Sequence, residues 1–307
     1  MQTHTHDHPH PNEPQAARFD RAFAIGVALN AGFVLVEWIA GVLANSLALI
    51  ADASHNLGDV LGLLLAWGAA ALARRRPSSR FTYGLRSSTI LAALGNAALL
   101  LVITGGIAWE AILRFRHPAQ VDAPLVIGVA VLGMLINTAT ALMFLSGRKR
   151  DLNLRGACLH MAADAAVSAG VAIAGVLTLA TGWIWIDPVM SLVIVTVILA
   201  GTAGLLRDAT RLALHAVPEG VDPARVRRML ERQPGVSEVH ALHIWGMSTP
   251  ETAMTAHLVM PDGHPGDAFI AELANRMVDE FGIAHATLQV ETDPDARRCV
   301  LAPDHVV

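Results

Sequence analysis

Two pairs of histidine and aspartate, each four residues apart, occur inside long apolar segments of this sequence. His55 and Asp59 lie in ADASHNLGD, and His160 and Asp164 lie in HMAAD. Residues four apart share one face of a helix, so each pair can present one nitrogen and one oxygen in the same direction. Two such pairs on facing helices would form a tetrahedral N2O2 site. Zinc suits that site, because it accepts imidazole nitrogen and carboxylate oxygen, and two carboxylates neutralise a divalent cation.

Ionisable groups inside a bilayer are costly and mark pathways or binding sites. The alternative is that each histidine and aspartate only hydrogen-bonds a neighbouring helix, but the same spacing in two apolar segments favours a metal site. Two histidines favour zinc, cadmium or cobalt over the harder manganese ion. Asp52 is either a further ligand or a partner of the backbone or of Asn56. Packing hydrogen bonds are the expected role of the other polar residues in these segments, Asn30, Glu37, Glu110 and Asn137.

Long apolar segments must position these residues. The chain is 53% hydrophobic and only 16% charged, whereas soluble domains carry about 25% charged residues. A membrane-spanning helix needs about 20 apolar residues, and six segments qualify: 20–43, 46–73, 86–113, 121–146, 156–181 and 186–206. The predicted organisation is a disordered His-rich tail, a six-helix transmembrane domain, a soluble α+β domain and a C-terminal tail, at 1–19, 20–206, 207–293 and 294–307.

The basic residues of the short loops predict the orientation of the membrane domain. The second and fourth loops, RRRPSSRFTYGLR and SGRKRDLNLRG, are rich in arginine and lysine, whereas the first and fifth loops have neither. Basic loops face the cytoplasm. With six crossings, both termini are therefore expected to be cytoplasmic.

The soluble part has the predicted order helix, strand, strand, helix, strand, at 223–233, 236–245, 251–260, 266–282 and 285–291. His240 and His257 fall on consecutive strands, so they can be neighbours across the sheet. His240 and His243 are three residues apart. On a regular strand they would point to opposite faces and would not share one ion.

Several motifs together resemble the cation diffusion facilitator family. The runs SLALIADASHNLGD, RFTYGLRSSTILAAL, HMAADAAVSAG and WIDPVMSL occur in the order typical of that family, and the resemblance covers roughly residues 20–293. The two histidine–aspartate pairs look most like its zinc-transporting branch. The resemblance implies six membrane helices, a cytoplasmic metallochaperone-like domain, a homodimer, and a transport site at His55, Asp59, His160 and Asp164.

The resemblance also implies a metal site in the soluble domain, at His240, His257 and His285 with a carboxylate near Glu291. Six residues of strand span about 20 Å, so His285 and Glu291 can share one ion only if His285 lies in the preceding loop. Two further expectations come from relatives. Arg86 would pair with Asp208, and a thiolate site is doubtful because Cys299 stands without a second cysteine nearby.

Two loop and tail segments differ from some family members. The loop 74–88 has no histidine, cysteine or acidic residue, so no metal site is predicted there. The N-terminal histidines either collect metal weakly or are simply solvated: His4, His6, His8 and His10.

The expected function is secondary active export of zinc from a bacterial cytoplasm across the inner membrane, in exchange for protons. Metal binding needs unprotonated ligands, and the sequence has no ATP-binding motif. Zinc is the expected substrate and a regulatory ligand of the soluble domain. An intramembrane metallohydrolase is disfavoured, because catalytic zinc keeps an open position and no HExxH motif occurs. A membrane metal sensor without transport is the alternative. The net charge of −4 gives no reason to expect nucleic-acid binding.

Overall fold

The computed structural model of the protein describes residues 31–145 and 152–292. Within them lie the described part of a first helix and five helices that are long and apolar enough to cross a membrane. These elements confirm the predicted membrane part of the fold. Their bounds are α1 Ala31–Leu43, α2 Leu47–Ala73, α3 Ser88–Arg116, α4 Ala123–Leu145, α5 Leu152–Thr181 and α6 Ile186–Ala213.

Helix α6 differs most from its predicted bounds. The sequence predicts 186–206, whereas the helix continues to Ala213. Hydropathy reports where apolar residues end, but the i to i−4 hydrogen bonds of a helix do not depend on lipid and can continue through polar residues. The charged residues Arg207, Asp208 and Arg211 therefore lie on the last turns of α6.

Chain contacts divide the protein into two compact units, one of residues up to 61 and 99–202, the other of residues 62–98 and from 203 onward. The predicted domain boundaries after residues 19, 206 and 293 stay predictions. The core of the first unit is rich in small side chains, including Ala40, Ala48, Ala51 and Ala130. Small residues let membrane helices approach closely. At Gly133 of α4 an added Cβ would meet the Phe33 ring at 2.7 Å.

The start of α2, the helix that carries His55 and Asp59, is held by a carboxylate from α6. Asp187 accepts hydrogen bonds from the Ser46 hydroxyl at 2.5 Å and from the backbone N–H of Leu47 at 2.9 Å. The first N–H groups of a helix have no partner within the helix. Asp187, from a distant part of the chain, supplies an acceptor for these N–H groups and so fixes the first turn of α2.

The second unit contains the predicted αββαβ domain. Its sheet has the order β1-β2-β3, with β1 and β2 antiparallel and β2 and β3 parallel. The parallel pair needs a crossover, which α8 supplies, and α8 ends at Gly282 with a φ of 68°, a conformation that glycine adopts without strain. The elements are α7 Pro223–Glu231, β1 Glu238–Gly246, β2 Thr252–Val259, α8 Asp267–Phe281 and β3 Ile283–Glu291.

Strand β1 is not the regular strand on which the prediction for His240 and His243 depended. Its register shifts between His240 and His243, and Ala241 has a φ of 47°. His240 lies opposite His257 and His243 lies opposite Thr255. Residues directly opposite share a face of the sheet, so His240 and His243 lie on the same face. The prediction that they point to opposite faces is wrong, because a bulge adds one residue and restores the alternation one position later.

Candidate metal centres

Four side chains from α2 and α5 meet inside the first unit. His160 Nε2 is 3.2 Å from Asp59 Oδ2 and 3.7 Å from Asp164 Oδ2. His55 Nε2 is 3.8 Å from Asp59 Oδ2 and 3.6 Å from Asp164 Oδ1. The structure therefore brings together all four residues of the predicted transport site. We call them the intramembrane cluster.

These four histidine–aspartate separations, 3.2–3.8 Å, lie close to the edge length of a zinc tetrahedron. Bonds of about 2.0–2.2 Å require ligand atoms about 3.3–3.6 Å apart. Asp59 Oδ2 and Asp164 Oδ2 are buried, and no group in the described residues donates a hydrogen bond to either oxygen. Buried acceptors without a donor are costly, so the arrangement suits a bound cation. The ligand atoms of Asp59, His160 and Asp164 all lie within 4.8 Å of one another. His55 lies outside this compact group, with its ring 6.0 Å from the His160 ring between centroids.

Asp52 lies outside this cluster. Ser168 of α5 donates to Asp52 Oδ2 at 3.0 Å, so its partner is neither the backbone nor Asn56. Asn56 instead donates to Glu37 Oε2 of α1 at 3.2 Å. Ser168 was not among the predicted site residues, although it follows Asp164 by four residues and so shares its helix face.

The other polar residues of the predicted helices have different environments. Glu110 pairs with Arg114 at 3.5 Å. The side-chain nitrogen and oxygen of Asn137 are buried without a hydrogen-bond partner among the described residues. Asn30, the N-terminal histidines and Cys299 lie outside the described residues.

A second cluster lies on the sheet of the soluble domain. His257 Nδ1 is 2.8 Å from Glu291 Oε1, and His240 Nε2 is 3.1 Å from Glu291 Oε2. The His240 and His257 rings are 4.9 Å apart between centroids, as expected for residues directly opposite in the sheet. His240 Nδ1 is buried and has no hydrogen-bond partner in the described part of the chain. We call His240, His257 and Glu291 the sheet cluster.

His285 is not brought to the sheet cluster. It lies within β3 opposite Ala253, while Glu291 lies opposite Val259 at the other end of the strand pair. His285 is therefore not in the preceding loop, the condition for sharing an ion with Glu291 in the same chain. Its ring packs edge-on against Tyr83, with 5.7 Å between centroids.

Arg86 has a different partner from the one predicted. Its Nη1 atom is 2.7 Å from Glu251 Oε1, while Asp208 pairs with its neighbour Arg207 at 3.2 Å. The prediction of an Arg86–Asp208 pair is wrong. The connection between β1 and β2 lies against the start of α3, and Ser87 donates to the Met247 carbonyl at 3.3 Å in the same place.

Membrane-spanning helices with an intramembrane His/Asp cluster, followed by an αββαβ domain with a second cluster, define a polytopic membrane protein with two candidate metal sites. Models of the cation efflux transmembrane domain and of the cation efflux protein cytoplasmic domain match residues 23–212 and 218–293. The chain therefore belongs to the cation efflux family. The resemblance to the cation diffusion facilitators and to their zinc branch is confirmed.

Curated relatives span almost the whole chain. Zinc transporter ZitB of Escherichia coli is 38% identical over 89% of this chain and 87% of its own length. The cadmium, cobalt and zinc/H(+)-K(+) antiporter of Bacillus subtilis is 32% identical over 89% of each chain. A solved structure described as the metal-bound C-terminal domain of the CzcD transporter from Cuprividus metallidurans is 35% identical, with a TM-score of 0.22, and covers 23% of this chain and 99% of its own.

Proposed function

We propose that this chain exports zinc from the bacterial cytoplasm across the inner membrane in exchange for protons, and that the intramembrane cluster binds the transported ion. The proposal is carried by two buried carboxylate oxygens, Asp59 Oδ2 and Asp164 Oδ2, which have no hydrogen-bond donor among the described residues. Two histidine nitrogens lie 3.2–3.8 Å from these aspartates. Two carboxylates and two imidazoles give a divalent ion charge balance and tetrahedral ligands. Relatives named as zinc transporters support the choice of ion.

Proton exchange follows from the chemistry of the ligands. Histidine and aspartate must be unprotonated to hold metal, so protons entering from the outside compete with zinc and promote its release. The unperturbed pKa of histidine is near 6.5, which places this competition within the range of natural pH gradients. The name of the Bacillus subtilis relative, an antiporter that uses H(+), supports this part of the proposal.

Cadmium and cobalt are the expected alternative substrates. Both are divalent ions that accept imidazole nitrogen, and the intramembrane cluster supplies two such ligands. The same Bacillus subtilis relative is named for cadmium, cobalt and zinc. Zinc remains the proposed main substrate because a tetrahedral site without sulfur suits it best.

The soluble domain is proposed to be cytoplasmic and regulatory, with both chain termini on the cytoplasmic side. The sheet cluster has two histidines and one carboxylate, which is one protein ligand short of a closed tetrahedron. A ligand from a second subunit of a homodimer, or water, would complete it. Zinc at this position would report a high cytoplasmic zinc concentration and raise the transport rate.

Transport and simple sensing are distinguished by flux through purified protein in sealed liposomes. A zinc dye is enclosed and a pH gradient is imposed, with wild type compared with Asp164→Ala. The matched control is Glu110→Gln, because Glu110 is also a carboxylate in a membrane helix but pairs with Arg114. The proposal expects gradient-dependent flux in wild type and control, and no flux in Asp164→Ala. Tight binding without flux would favour the sensor, and flux that survives Asp164→Ala would contradict the assigned site.

A further inference from the structure

Two other carboxyl groups lie inside the membrane part of the protein, and neither belongs to the intramembrane cluster. Glu37 of α1 and Asp52 of α2 are both 0% exposed and lie within hydrogen-bonding reach of each other. Each has one oxygen with a neutral donor, from Asn56 for Glu37 and from Ser168 for Asp52. The remaining oxygens, Glu37 Oε1 and Asp52 Oδ1, have no hydrogen-bond partner within residues 31–145 and 152–292.

No cationic side chain in the described parts of the chain balances this carboxyl pair. Among the described residues, no lysine or arginine forms an ion pair with Glu37 or Asp52. The titratable groups that act on the pair are Asp164 of α5 and His55 of α2. Nothing in Ala123–Leu145 of α4 is ionisable.

The other membrane helices use their charged groups elsewhere. Glu110 and Arg114 of α3 pair with each other. Asp187 of α6 holds the start of α2. Among the residues that the structure describes, the carboxyl pair therefore receives no positive charge from the neighbouring helices, apart from any proton on His55.

Keeping two adjacent carboxylates ionised out of contact with water carries a large free-energy penalty. Burial penalises the charged form, and the like charge of a neighbouring carboxylate adds to the penalty. One proton held between the two groups removes one charge and supplies the donor that the two unpartnered oxygens lack. Carboxyl pairs that share a proton are a known solution to this problem in other proteins.

We infer that Glu37 and Asp52 form a proton-binding site inside the membrane, distinct from the metal cluster, which holds one of the counter-protons of transport. This inference rests on the proposed exchange of zinc for protons. The ligand is a single proton, shared between the two carboxyl groups, and its exchange requires no change in covalent chemistry other than O–H bond formation.

The position of the pair explains how proton occupancy would affect the metal site. Asp52 precedes His55 by three residues on α2, and its partner Ser168 follows Asp164 by four residues on α5. Glu37 lies on α1 and is connected to α2 by the hydrogen bond that it accepts from Asn56. Loss of the shared proton would place a second negative charge where these three helices pack together, beside the carboxylate of Asp164. The protonated pair favours the packing described here, and the deprotonated pair favours separation of the helices that hold the metal.

The proton itself is tested by infrared spectroscopy on the purified, metal-free full-length protein in lipid at neutral pH. A protonated carboxyl group has a carbonyl stretch distinct from that of a carboxylate, and this band shifts in D2O. We expect wild type to show such a band, Glu37→Gln to lose it, and Asp52→Asn to lose or shift it. The control Glu110→Gln should leave it unchanged.

Helix content and zinc binding establish that each variant is folded. A spectrum of either folded variant identical to wild type in this region would overturn the inference. Two variants are used so that failure of one to fold leaves the other decisive.

The coupling between this proton and zinc transport is tested in sealed liposomes with two transport modes. In Glu37→Gln we expect pH-gradient-driven zinc accumulation to fall to the level of protein-free liposomes. Exchange of external zinc for internal zinc without a gradient should persist, because all four metal ligands remain. Gradient-driven accumulation at the wild-type level would contradict a coupling role. Absence of gradient-driven accumulation in wild type itself would contradict the proposed antiport, while the infrared result still decides whether the pair holds a proton.

Discussion

The intramembrane cluster and the sheet cluster use the same chemical groups in different mechanical settings. Each combines two histidines with carboxylate oxygens. In the intramembrane cluster the ligands come from two helices and differ in exposure, from 3% for the Asp164 side chain to 42% for that of His160. In the sheet cluster His240 is 1% exposed and lies opposite His257 on a hydrogen-bonded strand.

The difference indicates which cluster can move an ion. Ligands on separate helices can part when the helices shift, because no backbone hydrogen bonds join α2 to α5. Ligands on paired strands are held by the sheet and would separate only if the strands did. We therefore expect the intramembrane cluster to load and release zinc during transport, and the sheet cluster to bind zinc without releasing it in each cycle.

The largest expected effect is from Asp59→Asn, which keeps the shape of the side chain but removes its charge. Two carboxylates balance the divalent ion, so zinc affinity at the intramembrane cluster should fall by more than the roughly 10–100-fold that loss of an outer-sphere partner costs. Competition with a zinc dye on protein carrying Glu291→Gln measures this site alone. A zinc affinity close to that of the parent protein would contradict this prediction, since the intramembrane cluster would then not be the zinc-binding site.

A change of metal preference is expected from His55→Asp. The substitution converts two nitrogen and two oxygen ligands into one nitrogen and three oxygens, which favours harder ions such as manganese. The ratio of zinc to manganese flux in liposomes should fall by about tenfold, equivalent to about 1.4 kcal/mol. The control is His117→Asp, an exposed histidine after α3. An unchanged ratio in His55→Asp would exclude His55 from the ligand set.

A smaller effect is expected from Glu291→Gln, and it should be confined to stability and regulation. A ligand at 100 times its Kd stabilises the folded state by about 2.7 kcal/mol, and this contribution should disappear for the soluble domain. Thermal unfolding with and without zinc measures it, on full-length protein carrying Asp59→Asn so that the sheet cluster dominates the response. Glu280→Gln, which affects a carboxylate paired with Arg276, serves as control. A zinc-induced shift that survives Glu291→Gln would place the regulatory site elsewhere.

The smallest effect is expected from the Arg86–Glu251 pair, whose side chains are 40% and 36% exposed. Solvent screens such pairs, so their coupling should be about 0.2–1 kcal/mol. A double-mutant cycle of Arg86→Ala and Glu251→Ala measures that coupling through unfolding, and the charge swap should recover most of it. Coupling of Arg86 to Asp208 instead, with none to Glu251, would contradict the contact described here.

Several features of this structure could be predicted from the sequence because they depend on local periodicity. Apolar length predicts the membrane helices, and the four-residue spacing of His55 and Asp59 places both side chains on one face of α2. Alternation and turn residues predict the αββαβ order. These signals lie within one element and need no knowledge of how the elements pack.

The features that were missed depend on register and on distant partners. The bulge in β1 follows from a single residue, Ala241, with a positive φ, which composition does not reveal. The meeting of Glu291 with His240 and His257 was implied by the family resemblance but not by any local pattern, because it depends on the parallel register of β2 and β3. The Glu251 partner of Arg86 depends on where the β1–β2 connection lies, and a charge count cannot distinguish it from Asp208.

The most direct test of the division between the two clusters compares Asp164→Ala and Glu291→Gln in the same liposome preparation. Zinc flux under a pH gradient is recorded for both variants and for wild type, at saturating zinc. The account predicts that Asp164→Ala abolishes flux, whereas Glu291→Gln transports zinc at a maximal rate within about twofold of wild type, a difference of about 0.4 kcal/mol. Abolished flux in Glu291→Gln together with surviving flux in Asp164→Ala would contradict it.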